Sequence, residues 1–285
     1  MAELMLGLPV AKSINERLAP RIEALKASGT LPKLAIVRVG AREDDLSYER
    51  GALKRCSALG IEAEVVEVAP ESATTESMVA TLEGLNARED VHGVLMFRPL
   101  PKTIDEAAVC AALAPEKDLD CMTPTSLLST LSGRGAGFAP CTAEAVVEIL
   151  DFYGVGLDGA NVTVVGRSLV IGKPVSMMLQ ARNATVTMCH THTRDLAAAC
   201  QAADIVVAAA GHARTVGADA LRDGQVVVDV GINWDEAAGK LVGDVDFEAS
   251  EPKVAKITPV PRGVGSVTTA VLAKHLVEAA ERSLA

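Results

Sequence analysis

Three glycine-bearing segments of this 285-residue chain could hold a phosphorylated ligand. In the first, Val164-Val165-Gly166-Arg167-Ser168-Leu169-Val170-Ile171-Gly172-Lys173-Pro174, an apolar run ends in Gly166 and Gly172 opens what reads as a helix. Glycines there let the backbone approach a pyrophosphate, and a helix N-terminus supplies N–H donors for it. The spacing is G-x-x-x-x-x-G rather than G-x-G-x-x-G, so the segment alone also reads as a glycine-rich turn without a ligand. Two further apolar runs end in glycine, at Ala210-Gly211 and at Val230-Gly231-Ile232. Ligands of doubly wound sheets sit beyond the carboxyl ends of strands, and here three ends carry glycine. The run ending at Cys189 is followed by His190, Thr191, His192, Thr193 and Arg194, with no Asp or Glu to take a ribose 2′-hydroxyl. With Arg167, this polar and cationic surround suits a 2′-phosphate, which favours NADP over NAD. The alternative for His190 and His192 is a pair of solvated loop histidines. No Cys or carboxylate cluster accompanies them, so no metal site is expected.

These segments need a scaffold of strands and helices. Short apolar runs alternate with amphipathic stretches. Strands are expected at 34–39, 64–68 and 91–96, with helices at about 46–59, 75–86 and 103–114 between and after them. Gly60 stands where a helix C-terminal glycine belongs, and Thr75 and Thr103 are placed to cap helices. Residues 115–140, rich in Ser, Gly, Pro and Thr, read as an irregular inter-domain stretch. A second series follows a helix capped by Thr142, with strands at 161–165, 184–189, 204–209, 225–230 and near 255–258. A last helix runs from about Ser266 to Glu281. The pattern predicts an α/β protein of two domains, residues 1–140 and 141–265, the second a Rossmann-like doubly wound parallel sheet, with the C-terminal helix 266–285 packing back on the first.

Composition narrows the function classes. Apolar residues make up 49%, charged residues 22% and aromatics only 2%, so aliphatic side chains must fill the core. A net charge of -10 with so few aromatics lacks the phosphate-neutralising surface and stacking platforms of nucleic-acid binders. No apolar run approaches the ~18 residues of a membrane span, and the N-terminus carries no signal-peptide pattern. Six cysteines without a C-x-x-C pair read as reduced, mostly buried thiols. A cytoplasmic protein with small-molecule partners and copies of itself is expected.

Further motifs carry a family resemblance: Tyr48, Val91-His92-Gly93-Val94-Leu95, Pro99-Leu100-Pro101, Pro115-Glu116-Lys117-Asp118-Leu119-Asp120, Pro140-Cys141-Thr142, Val165-Gly166-Arg167-Ser168, Cys189-His190, Asp229-Val230-Gly231-Ile232-Asn233, Gly243-Asp244-Val245-Asp246-Phe247 and Thr258-Pro259-Val260-Pro261. In order and spacing, from about residue 5 to the C-terminus, the chain resembles the methylenetetrahydrofolate dehydrogenase/cyclohydrolase family. The resemblance implies an N-terminal folate domain, a Rossmann NAD(P) domain, a cleft between them and a homodimer. It implies that Tyr48 lines the folate pocket, that Asp120 binds the pterin ring, and that Pro261, Gly263 and Val264 shape a folate wall. Gly166, Arg167, Ser168, Gly172, His190, Thr191, Gly211, Gly231 and Ile232 would meet the dinucleotide. The alternatives are a half-buried core role for Tyr48 and a turn-capping role for Asp120 near Thr123.

The departures gather on the folate side. The family carries a catalytic Lys four residues after the Tyr and a Gln in a V-Q-L-P-L-P run. Here Ala52 and Phe97 stand at those positions. Lys54 lies about 240° round a helix from Tyr48 and does not replace the Lys. The family's D-G-F-H is Asp120-Cys121-Met122-Thr123, its P-G-G-V-G loop is Pro261-Arg262-Gly263-Val264-Gly265, and Arg98 is either solvated or recognises a carboxylate of an altered substrate. Hydride transfer from a methylene bridge needs alignment of two carbons and no obligatory side-chain acid or base. Hydrolysis of the resulting methenyl bridge needs positioned proton-transfer groups. The expectation is a tetrahydrofolate-dependent dehydrogenase with little or no cyclohydrolase activity. The alternatives are a bifunctional enzyme, a dehydrogenase of another pterin one-carbon carrier, and a non-catalytic paralogue.

Overall fold

A computed structural model describes residues 1–284. Strand β1 (Glu3–Leu4) and helix α1 (Gly7–Ala27) open the chain. There follow β2 (Lys33–Val39), α2 (Glu43–Leu59), β3 (Glu62–Val68), α3 (Thr75–Asn86), β4 (Gly93–Met96), α4 (Glu106–Ala112), a short 3₁₀ turn at Pro115–Lys117, and α5 (Pro124–Ser132). Helix α6 (Cys141–Phe152) precedes β5 (Asn161–Val165), α7 (Gly172–Gln180), β6 (Thr185–Cys189), α8 (Leu196–Gln201), β7 (Ile205–Ala208) and β8 (Val226–Asp229). A hairpin of β9 (Asn233–Asp235) and β10 (Lys240–Val242), then α9 (Phe247–Ser250), β11 (Lys256–Ile257) and α10 (Gly265–Arg282) complete it.

The chain divides into two compact units. One comprises Met1–Lys12 and Thr142–Thr268, the other Ser13–Cys141 and the chain from Thr269 onward. These bounds differ from the expected 1–140 and 141–265 chiefly at the N-terminus. The reason is a hydrogen-bonded ladder: β1 pairs in parallel with β11, bringing Glu3 beside Lys256. From Thr269 onward, α10 belongs with residues 13–141. Arg21 grips Glu281 through two hydrogen bonds of 2.9 and 2.6 Å, and His275 Nδ1 lies 2.8 Å from the Leu119 carbonyl.

In the unit of residues 13–141 the sheet order is β3-β2-β4, all parallel. Central β2 is flanked on both edges, and Leu34 to Arg38 are buried without alternation, as a central parallel strand requires. Arg38 is tolerated there because Glu49 and Glu67 accept from it at 2.8 and 2.9 Å. Helix α2 stops at Gly60, whose φ of 65° lies in the left-handed region. The expected caps shift by a residue or two. Thr74, not Thr75, accepts the Ser77 N–H in a capping box, and Asp105, not Thr103, caps α4. Helix α6 starts at Cys141, so Thr142 is inside it. Helices α1 and α5 fall outside the expected elements. In α1 the buried stripe Val10, Ile14, Leu18, Ile22, Leu25 has helical spacing.

In the other unit a six-stranded sheet runs β1-β11-β8-β7-β5-β6, with every pairing parallel. The chain goes from β5 outward to β6 and then returns to the other side of β5 with β7. The order therefore reverses between β5 and β7, where a doubly wound sheet leaves a crevice for a ligand. All six cysteines are free and buried. Among the described residues no helix is long and apolar enough to cross a membrane.

Candidate active site

The residues expected on the folate side assemble around α2 and the end of β4. Tyr48 and Ala52 are one helical turn apart on α2, and Ala52 is buried at 1% exposure. Phe97, one residue past β4, presents its ring edge to Tyr48, with centroids 5.8 Å apart at 87°. The structure thus brings together Tyr48, Ala52 and Phe97 as one patch with a single polar atom, the Tyr48 hydroxyl. Burial and the nearby Asp120 charge hold that phenol well above its ordinary value, so it stays neutral. Lys54 is exposed. The segment after β4 is tied to α2 by Arg42, which grips Asp45 through two bonds of 2.7 and 2.8 Å and donates to the Pro99 carbonyl at 3.1 Å.

Asp120 is placed by its neighbours. A Cβ on Gly93 of β4 would overlap the Leu119 side chain, so this glycine lets Leu119 dock on the strand. Asp118, fully buried, accepts the Met122 N–H at 2.9 Å and the Thr123 N–H at 2.8 Å. The turn-capping task that Asp120 could have had therefore falls to Asp118. Asp120 accepts the Cys141 N–H through Oδ1 at 2.8 Å. Burial raises its carboxyl above the ordinary value, opposed by the Cys141 hydrogen bonds and by the Arg98 charge. Arg98 is not a freely solvated side chain: it lies 3.9 Å from Glu106, whose other oxygen accepts the Leu100 N–H at 2.9 Å. Cys121 follows Asp120, but burial pushes its thiol up to about 12, which removes it as a nucleophile. Replacing Gly93 with Ala should displace Leu119 and destabilise the protein by about 1–3 kcal/mol. Urea unfolding measures this, and an unchanged midpoint would show that Leu119 has another place to go.

The dinucleotide candidates gather at the strand ends of the other unit. Gly166 has a φ of 130°, and a Cβ there would overlap the Ala209 carbonyl at the end of β7. A Cβ on Gly172 would overlap the Gly166 carbonyl. The Ser168 hydroxyl accepts from the Ile171 and Gly172 amides at 3.1 and 3.3 Å, folding the turn back onto the start of α7. Arg167 is exposed beside it. His190 Nδ1 accepts the His192 amide at 3.1 Å, so in the neutral ring Nε2 carries the hydrogen. Thr191 is exposed in the same turn, and Thr193 Oγ1 accepts the His190 amide at 2.8 Å. These features fit a dinucleotide: side-chain-free backbone over the strand ends, a helix N-terminus, and polar donors where a ribose would lie. Gly231 and Ile232 line a hollow with Pro261, Gly263 and Val264. The expected folate wall therefore belongs to the same unit as these two cofactor candidates.

Three supporting carboxylates had no role assigned from sequence: Asp118, Asp229 and Asp244. Asp229, 2% exposed, is pushed up to about 7 by burial despite three backbone N–H donors. The only sequence signal for them was their place in the D-L-D, D-V-G-I-N and G-D-V-D motifs. Among the described residues no group of three His, Cys, Asp or Glu is arranged to hold a metal ion.

A Rossmann-like unit with glycine-cleared strand ends, joined to a second parallel α/β unit, defines the class of two-domain NAD(P)-binding proteins. Residues 5–120 match the tetrahydrofolate dehydrogenase/cyclohydrolase catalytic domain, and residues 140–284 match the NAD(P)-binding domain of the same family. The chain belongs to the tetrahydrofolate dehydrogenase/cyclohydrolase family. It is 52% identical to the bifunctional protein FolD of Clostridioides difficile (strain 630), over 97% of this chain and 96% of that one. The crystal structure of bifunctional FolD from Campylobacter jejuni superimposes with a TM-score of 0.94 at 35% identity, covering 99% of both chains. The Trypanosoma brucei FolD structure, complexed with NADP cofactor and inhibitor, gives 0.91 at 36% identity, over 99% of this chain and 98% of that one.

Proposed function

We propose that this chain is a methylenetetrahydrofolate dehydrogenase that oxidises the 5,10-methylene bridge to the methenyl level, with NADP preferred over NAD and with little or no cyclohydrolase activity. The observation that carries the second half is the apolar pair Ala52 and Phe97 against Tyr48. The bound dinucleotide supplies the hydride acceptor. The protein's task is to hold the donor carbon in line with it, because the folate nitrogen lone pair stabilises the cation left behind. Asp120 accepts the adjacent N–H donors of the pterin ring, and Tyr48 walls the pocket. Gly166, Gly172, Gly211 and Gly231 clear room for the dinucleotide backbone, with Arg167, Ser168, His190 and Thr191 around its ribose. Pro261, Gly263 and Val264 shape a folate wall on their own unit, and Ile232 meets the dinucleotide.

The name borne by the Clostridioides difficile relative favours a second reading, a bifunctional enzyme that uses another group for hydrolysis. Two assays on purified protein separate them: reduced cofactor formation from methylenetetrahydrofolate, and decay of methenyltetrahydrofolate above the buffer rate. Reduction without enhanced decay supports the dehydrogenase reading. Both signals support the bifunctional one, and neither overturns both. A homodimer is also proposed. It is supported by the Trp234–Leu241 cross-strand pair on the β9–β10 hairpin, where Trp234 is 63% exposed.

Asp120→Asn should lower kcat/KM for the folate by roughly 10- to 100-fold, because a charged acceptor of two N–H donors is lost. The pH sign follows from the carboxylate form being the one that binds. Burial raises its pKa, so wild-type kcat/KM falls as pH drops through a value above the usual carboxylate range. The variant should lack that acidic limb. An unchanged profile would remove Asp120 from pterin binding.

A further inference from the structure

Two buried carboxylates tie the strand ends of the nucleotide unit together, and none of the chemistry above uses them. Asp244 is fully buried. Its Oδ2 accepts the Gly211 amide after β7 at 2.8 Å, and its Oδ1 accepts the Asn233 side-chain amide at the start of the hairpin at 2.9 Å. Asp229 Oδ1 accepts the Gly231 and Asp244 amides at 3.0 and 2.9 Å, and its Oδ2 accepts the Val245 amide at 3.0 Å. The end of β7, the end of β8, the hairpin and residues 243–245 therefore form one hydrogen-bonded assembly. Two glycines are explained by it: a Cβ on Gly231 would overlap the Asp244 carboxylate, and one on Gly243 would overlap that of Asp229.

A carboxylate that only stabilised a loop could bond any nearby amides. Asp244 instead joins the glycine end of β7 to the segment leaving β8, two of the three glycine-bearing strand ends at which a dinucleotide is expected. Gly211 has no side chain to wedge it in place and a φ of 73°, so its position depends on such bonds.

We propose that Asp244 is a positioning residue for the dinucleotide: by holding the Gly211 amide and the Asn233 side chain at fixed separation, it sets the width of the cofactor site at the ends of β7 and β8. This rests on the dehydrogenase reading for the identity of the ligand. The hydrogen-bond logic separates two substitutions. Asp244→Ala removes both acceptors. Asp244→Asn keeps one oxygen for the Gly211 amide, and its new amide group pairs with Asn233 once the Asn233 amide turns over.

The test uses the full-length chain and NADPH, whose fluorescence change on binding gives Kd without turnover. Asp244→Ala should weaken NADPH binding by about 10- to 100-fold, leave the folate KM within about threefold, and speed amide exchange at Gly211 in the cofactor-free protein. Asp244→Asn should bind within about threefold of wild type and keep the Gly211 amide protected. Asn233→Ala, which deletes one bond, should fall between them, and it decides the matter if Asp244→Ala does not fold. Unchanged NADPH affinity in a folded Asp244→Ala, or in Asn233→Ala where that is the deciding variant, would overturn the proposal. So would an Asp244→Asn protein as weak as Asp244→Ala. A wild-type chain that binds neither NADPH nor NADH overturns the dehydrogenase reading and the inference together. A wild-type chain that binds either, with variants that bind equally well, overturns the inference alone.

Discussion

Introducing Lys at Ala52 and Gln at Phe97 together should raise methenyltetrahydrofolate hydrolysis at least about 100-fold over the wild-type chain, because positioned acid–base groups are worth about 10²–10⁴-fold. The geometry makes these two positions the places to act. Ala52 lies one turn from Tyr48 on α2, so a Lys side chain there would extend along the face that carries the phenol. Its ammonium would be partly desolvated, which lowers its pKa and lets it exchange protons near neutrality. Phe97 stands edge-on to the same tyrosine and is 8% exposed, so a Gln amide there would replace carbon with a donor and an acceptor.

The gain has a cost in stability. Removing the buried Phe97 ring should destabilise the fold by about 2–4 kcal/mol, and burying a Lys adds to that. Thermal melts must accompany the rate measurements, and the single variants show which group limits. Dehydrogenase turnover should change far less than hydrolysis, since hydride transfer asks for alignment rather than proton transfer. A folded double variant with unchanged hydrolysis would show that the two positions do not explain the activity. Rapid hydrolysis by the wild-type chain would show that the ammonium and amide are dispensable here.

The second large effect concerns Gly166. Gly166→Ala should lower NADPH affinity by at least about 100-fold and cost about 3 kcal/mol or more of stability. Two independent penalties combine there. A φ of 130° suits glycine, and the added carbon would meet the backbone carbonyl of Ala209, a residue held just past β7 by its N–H on the Val165 carbonyl at 2.8 Å. Gly211→Ala is the contrast. Its φ of 73° is also left-handed, yet a Cβ there meets nothing within 4 Å. For stability only the backbone penalty applies, about 1 kcal/mol, while NADPH affinity falls as well if the added carbon enters the dinucleotide site. NADPH titration and thermal melts of both variants check the ranking. Equal behaviour would mean that the close contact at Gly166 is relieved by movement of the turn.

Local pattern carried much of this protein. The runs at 34–39, 161–165 and 204–209 declared themselves as strands because parallel strands covered on both faces leave no polar alternation. The turn from Gly166 to Gly172 was legible because glycine is required where backbone meets backbone, a constraint that shows in the residue itself. The substitutions Ala52 and Phe97 were visible only through the family resemblance, which implies a Lys and a Gln there; helical spacing then put Ala52 on the face of Tyr48. The helices α1 and α5 went unread for local reasons: α1 opens with glycine and proline and carries Pro20 inside, and α5 lies in a stretch of Ser, Thr, Gly and Pro.

The tertiary structure alone decided which strands are neighbours and which carboxylate does what. Glu3 and Lys256 are joined only because β1 adds to the edge of a sheet formed by residues far along the chain. Asp118 and Asp120 are the same residue type two positions apart. One is spent on its own loop and the other is turned toward Cys141, because Leu119 between them is anchored on Gly93. Asp244 finds Gly211 across 33 positions. A hydrogen bond at that separation has no periodicity to announce it, since its partner is chosen by where the chain returns after the sheet has formed.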